Sequence, residues 1–153
     1  MDELYRSIGI MMHSAQAIER NLSIIIYIDE ILSVFKNNEE VPKEIYSYNH
    51  ERADELFEWM SGATMGEIIN RARKTPSMNR QLVSSLERVL NYRNYVAHRL
   101  FKEKAFLAGG KTTQIELNSL KKRAEEELKF SNKLNDALLE IIGRLRKEYE
   151  RIA

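Results

Sequence analysis

Asn21-Leu22-Ser23-Ile24-Ile25-Ile26-Tyr27-Ile28-Asp29-Glu30-Ile31-Leu32-Ser33-Val34-Phe35 is the stretch on which the fold class turns. Taken alone, Ile24-Ile25-Ile26 suits a strand, because β-branched side chains pack well on a pleated surface. Over a longer window the pattern is helical. Ile24, Tyr27, Ile28, Ile31, Leu32 and Phe35 recur at steps of three and four, the period of a buried helical stripe. Asp29 and Glu30 break the apolar run and leave it too short and too charged to span a bilayer. The pattern extends in both directions, so a first helix is predicted over residues 3–37, ended by Lys36-Asn37-Asn38.

The remaining chain reads the same way. Glu39 to Tyr48 is a connection containing Pro42. A second helix from about Asn49 to Met60 aligns Ala53, Leu56, Phe57 and Met60, and Ser61-Gly62 ends it. Thr64-Met65-Gly66-Glu67 has the form of a capping box, with the N-cap hydroxyl three residues before a glutamate. It opens a short helix through Ile68, Ile69 and Ala72 that stops before Pro76. Ser77 or Asn79 starts a long helix continuing to about Phe106, with Ala108-Gly109-Gly110 as its stop. Thr112 or Thr113 caps a last helix to Arg151, whose stripe includes Ile115, Leu117, Leu120, Leu128, Leu134, Leu138, Ile141, Ile142 and Leu145. The expectation is an all-α fold: an up-and-down four-helix bundle with an additional short helix, one domain over residues 1–153. Six glycines and two prolines in 153 residues suit long helices better than a many-stranded sheet.

There is no cysteine, which excludes disulfides and thiolate metal sites and suits a reducing compartment. The opening Met1-Asp2-Glu3-Leu4-Tyr5-Arg6 does not resemble a signal peptide, so a cytoplasmic location without membrane attachment is expected. The net charge of +1 hides an asymmetry. Residues 1–70 hold 5 basic and 13 acidic side chains, whereas residues 71–111 hold 10 basic and 2 acidic. The basic block is where a polyanion would be drawn, although a solvated face balancing the acidic segment has the same composition.

On a helical wheel at roughly 100° per residue, Leu82, Val83, Leu86, Val89, Leu90, Val96, Ala97, Leu100 and Phe101 form one apolar arc. Arg93 falls near its middle. Asn94 and His98 lie at its edge, four residues apart, with Asn91 and Glu87 close by. A guanidinium cannot shed its proton to escape burial. Arg93 therefore snorkels, pairs with a buried carboxylate, or faces a cleft or a second subunit.

Arg93-Asn94-Tyr95-Val96-Ala97-His98 resembles the signature of the HEPN superfamily: an arginine, four to six residues, then a histidine on a helix of a small bundle, often with a polar residue directly after the arginine. The resemblance covers about ten residues as motif and most of the chain as architecture. It implies a metal-independent endoribonuclease of the toxin or phage-defence kind, acting as a homodimer with two motif copies facing one cleft. It also implies Arg93, Asn94 and His98 as catalytic residues, no cofactor, an RNA substrate and a possible cognate antitoxin. The residue types suit that chemistry. Histidine titrates near neutrality and serves as acid or base. Arginine matches a multi-oxygen phosphate. Asn94 is placed to orient the ring or the phosphate. Arg99, Lys102, Arg88 and Asn91 are candidate RNA-binding residues around the motif. Toxins silenced by adenylylation carry a tyrosine two residues after the histidine; Leu100 stands there, which puts that silencing in doubt.

Two other readings compete. His13, His50 and His98 could share a metal, yet the chain has neither Glu-x-x-His nor His-x-x-x-His. A non-catalytic dimerisation, RNA-binding or nucleotide-binding module is the stronger rival, since such helical domains also serve as scaffolds. Gly109-Gly110-Lys111-Thr112 has a passing P-loop look, but no strand precedes it, and it reads as a turn between helices.

Overall fold

The computed structural model describes residues 2–37, 45–100, 102 and 114–152, with the backbone alone over 45–50. The described residues are helical apart from short turns: α1 (Asp2–Asn37), α2 (Ile45–Gly62), α3 (Met65–Ala72), α4 (Arg80–Tyr95) and α5 (Gln114–Ile152). A π-helical turn, Val96–Leu100, continues α4 directly. The all-α expectation holds, and the isoleucine run lies inside α1. The expected connection 39–48 is shorter than its sequence suggests, because α2 already begins at Ile45. The glycine stop at 108–110, the Thr112 and Thr113 caps and the P-loop-like segment lie outside the described residues.

Cross-helix contacts give each helix its direction. The Tyr27 ring meets Phe57 at 6.1 Å, and Arg52 Nη2 lies 3.4 Å from Glu30 Oε2, so α2 runs against α1. In α3, Ile68 borders the groove beside Gln16–Ile24, whereas Arg71 donates to Glu30, so α3 climbs with α1. Arg88 meets Glu127, and Arg123 lies over Tyr92 and Tyr95, so α4 descends against α5. The pairs Glu3–Lys121 (2.6 Å), Asn21–Asn135 (2.6 Å) and Lys36–Glu148 (2.8 Å) then show α5 running parallel to α1. In a four-helix up-and-down bundle the first and last helices are antiparallel. Here the short α3 is a full leg of the bundle, the number of legs is odd, and α1 and α5 share a direction.

One buried cluster draws on every helix, including Leu4, Met11, Ile18, Leu22 and Ile25 of α1, Leu56 of α2, Ile69 of α3, Leu86 of α4 and Leu138 of α5. Ala15, Ala124 and Ser131 are fully buried, and small residues let paired helices approach closely. α1 is roughly 54 Å long and α3 only about 12 Å. α2 and α3 therefore cover the upper and middle parts of α1, and among the described residues the lower end of the bundle is built from α1, α4 and α5.

α3 begins as its sequence predicts. Thr64 Oγ1 accepts from Glu67 N at 3.3 Å, and Glu67 Oε2 accepts from Thr64 N at 2.6 Å. These bonds to Thr64 hold the Glu67 carboxyl below the usual carboxylate range. Thr64→Ala is expected to lower stability by about 1 kcal/mol, read from the urea midpoint at constant slope. Because the folded-state value of Glu67 is depressed, its contribution is present above the ordinary carboxylate range and fades as pH falls through the lowered value. Glu67→Gln should flatten that acid-side dependence.

Candidate active site on the fourth helix

Asn79 caps α4, its Oδ1 accepting from Leu82 N at 2.8 Å. Val83, Leu86, Val89 and Tyr92 follow as buried positions. At the C-terminal end Val96 N–H is shared between the carbonyls of Tyr92 and Arg93, and the chain then unwinds into the π turn. The buried stripe continues through Val96 and Leu100. Tyr92, Val96 and Leu100 are spaced by four and four, which drifts around an α-helix. A looser turn keeps the three on one side. This corrects the expectation of one uninterrupted helix over 79–106, and it corrects Ala97 as well, which is exposed rather than part of the apolar arc.

The π turn bears directly on the motif. In an uninterrupted α-helix, residues five apart are rotated by roughly 140° and residues four apart by roughly 40°. The turn begins between Arg93 and His98 and gives fewer degrees per residue. It narrows the angle between Arg93 and His98 and brings His98 nearly into line with Asn94. π turns inside helices are frequent at functional sites.

Arg93 is half-buried, between the buried Val89 and Val96, while Asn94 and His98 are exposed. Among the described residues none of the three side chains has a hydrogen bond or ion pair. Pairing of Arg93 with a buried carboxylate, one of the three possibilities open from sequence, is therefore not what the structure shows. Asn91 is exposed and lines a shallow groove of about 430 Å³ between α3 and α4, with Gly66, Ile69, Asn70, Arg73, Glu87 and Leu90. Arg73 and Glu87 form an ion pair across that groove. Arg99 and Lys102 are exposed at the lower end of the helix.

Arg88 is placed differently from the other candidates. Its guanidinium donates to both Glu127 oxygens, at 3.1 to 3.3 Å, and stacks over Phe130 at 3.9 Å from the ring centroid. It ties α4 to α5, and its charge is matched there. One cation near the motif escapes the sequence reading altogether. Arg123, exposed on α5, lies over Tyr92 and Tyr95 with its guanidinium carbon 5.2 and 4.7 Å from the ring centroids. No local spacing in α5 signals this, since the rings belong to another helix. Burial raises the Tyr92 hydroxyl above its ordinary range, with Arg123 pulling the other way.

Among the described residues no group of three or more His, Cys, Asp or Glu side chains could hold a metal ion. His13 is exposed on α1, and the His50 side chain is outside the described ones. No helix among the described residues is long and apolar enough to cross a membrane. No protein-family description, curated protein or solved structure matches the chain.

Proposed function

We propose that this protein is a metal-independent endoribonuclease of the HEPN kind, with Arg93, Asn94 and His98 as its catalytic residues. The observation that carries the proposal is the π turn set inside the motif, whose wider winding reduces the angle between Arg93 and His98, while among the described residues Arg93, Asn94 and His98 have no hydrogen bond or ion pair. Unpaired polar side chains on a rigid element are free to act on a ligand. The basic charge of residues 71–111, net +8, suits a polyanionic substrate.

In this reaction a base removes the proton of an RNA 2′-OH, and the oxygen attacks the adjacent phosphorus. The bond to the 5′ oxygen breaks, an acid protonates that oxygen, and a 2′,3′-cyclic phosphate and a 5′-OH result. His98 is the acid or base, Arg93 neutralises the charge that builds on the phosphorane oxygens, and Asn94 orients the phosphate or the imidazole. One motif supplies one histidine. A homodimer with two motifs at a shared cleft supplies both the acid and the base. A toxin- or defence-type role follows from such an activity, with a cognate antitoxin as its natural restraint.

The test is incubation of total RNA with purified protein in EDTA, followed by end analysis. Fragments with cyclic-phosphate and 5′-OH ends are expected, together with growth arrest on overexpression. Intact RNA and normal growth would favour the rival reading, a non-catalytic dimerisation or RNA-binding module.

A further inference from the structure

Among the described residues Arg71, Arg88 and Arg123 lie over aromatic rings, and of these three Arg123 is the one without a carboxylate among those residues. Arg71 sits 4.7 Å from the Trp59 centroid and is paired with Glu30. Arg88 sits over Phe130 and is paired with Glu127. Arg123 sits over Tyr92 and Tyr95, is exposed, and has no hydrogen bond or ion pair among the described residues. By helical spacing its partners would be Glu126 and Glu127, three and four residues on. Glu127 is committed to Arg88, and Arg123 makes no ion pair with Glu126. Stacking immobilises the plane of a guanidinium and leaves its N–H edge available, the form in which arginine grips a phosphate. Two rings therefore hold Arg123 in place at little further entropic cost, and its donors are unspent.

Its position gives those donors a target. α4 and α5 are antiparallel, so the turn that follows Tyr95, carrying His98 and Arg99, lies alongside the turn of α5 below Arg123. Asn91 and Asn94 on α4 and His98 and Arg99 in the turn that follows are all exposed, and Arg123 reaches α4 from α5 at Tyr92 and Tyr95.

We infer that Arg123 is a phosphate-binding residue for a single-stranded RNA crossing the outer face of α4, clamped on Tyr92 and Tyr95 so that it grips the strand beside the bond that His98 cleaves. This rests on the ribonuclease reading and adds to it a contact from α5. Arg123 acts by holding the strand in register and takes no part in the proton transfers.

The experiment is fluorescence-anisotropy titration of the intact protein with a single-stranded 2′-O-methyl RNA, which has no free 2′-OH and is not cut, at several salt concentrations. Arg123→Ala should weaken binding about tenfold, since a charge-assisted contact is lost. The slope of log affinity against log salt should fall by about 0.7, the value for one phosphate contact on a single strand. Arg123→Lys should restore most of the slope, because the charge remains. Arg123→Gln, which keeps a planar group on the rings, carries the test if the alanine variant melts early. A merely structural role would lower the melting temperature and leave the salt slope alone, and that result overturns the inference. If the parent binds and cuts RNA and Arg123→Ala does both equally well, this inference falls and the ribonuclease reading stands. If the parent binds no RNA, both fall.

Discussion

His98→Ala protein is expected to cut RNA roughly 10² to 10⁴ times more slowly than the parent, the usual cost of removing a general acid or base. Circular dichroism and melting temperature should be unchanged. Both halves of that expectation come from the same fact: His98 is exposed and has no hydrogen bond or ion pair among the described residues, so its loss breaks nothing in the fold. Mixing the two forms adds a second readout. If one active site needs a histidine from each of two subunits, an equal mixture retains about a quarter of the parent activity, because only parent–parent dimers are complete. If each chain works alone, about half remains. Cleavage by His98→Ala at the parent rate, with the same cyclic-phosphate ends, would remove the motif from the reaction.

The helices were legible because each rests on local chemistry. The three- and four-residue spacing of α1 decided the isoleucine run, the Thr64 cap is met where its side chain predicts it, and of Ser77 and Asn79 it is Asn79 that caps α4 while Ser77 donates to Asp29. Topology was less legible. Whether α3 is an appendage or a leg of the bundle depends on Ile68 and Arg71 meeting different heights of α1, a tertiary fact with no local signature. The π turn was hidden for another reason. No glycine or proline marks it, and an α-helical wheel drawn through 79–106 assigns Ala97 to the core. The clue was the four-and-four spacing of Tyr92, Val96 and Leu100, which suits an underwound turn better than a regular one. The same wheel put Arg93 near the middle of the apolar arc, and the structure leaves it half-buried. It could not place Arg123 beside Tyr92 and Tyr95, because that cluster exists only once α4 and α5 are paired.

Arg93→Ala is expected to reduce cleavage by roughly 10² to 10³, the range for losing a donor aimed at developing negative charge. The competing account is that Arg93 is a snorkelling side chain whose stem merely covers Val89 and Val96. The two accounts differ in what lysine does. Lysine keeps the stem and the charge and loses the planar fork that holds two phosphate oxygens at once. If Arg93 only covers the core, Arg93→Lys should match the parent in stability and in cleavage, and Arg93→Ala should lose stability first. If Arg93 grips the phosphate, Arg93→Lys should stay folded and still cut markedly more slowly. Half-burial makes that second outcome the expected one. A side chain that stood fully in solvent would pay rotamer entropy to engage a phosphate, whereas the half-buried Arg93 has already lost part of that freedom. The same partial burial leaves the Arg93 charge unmatched by any carboxylate among the described residues, so a bound phosphate is the group that would balance it.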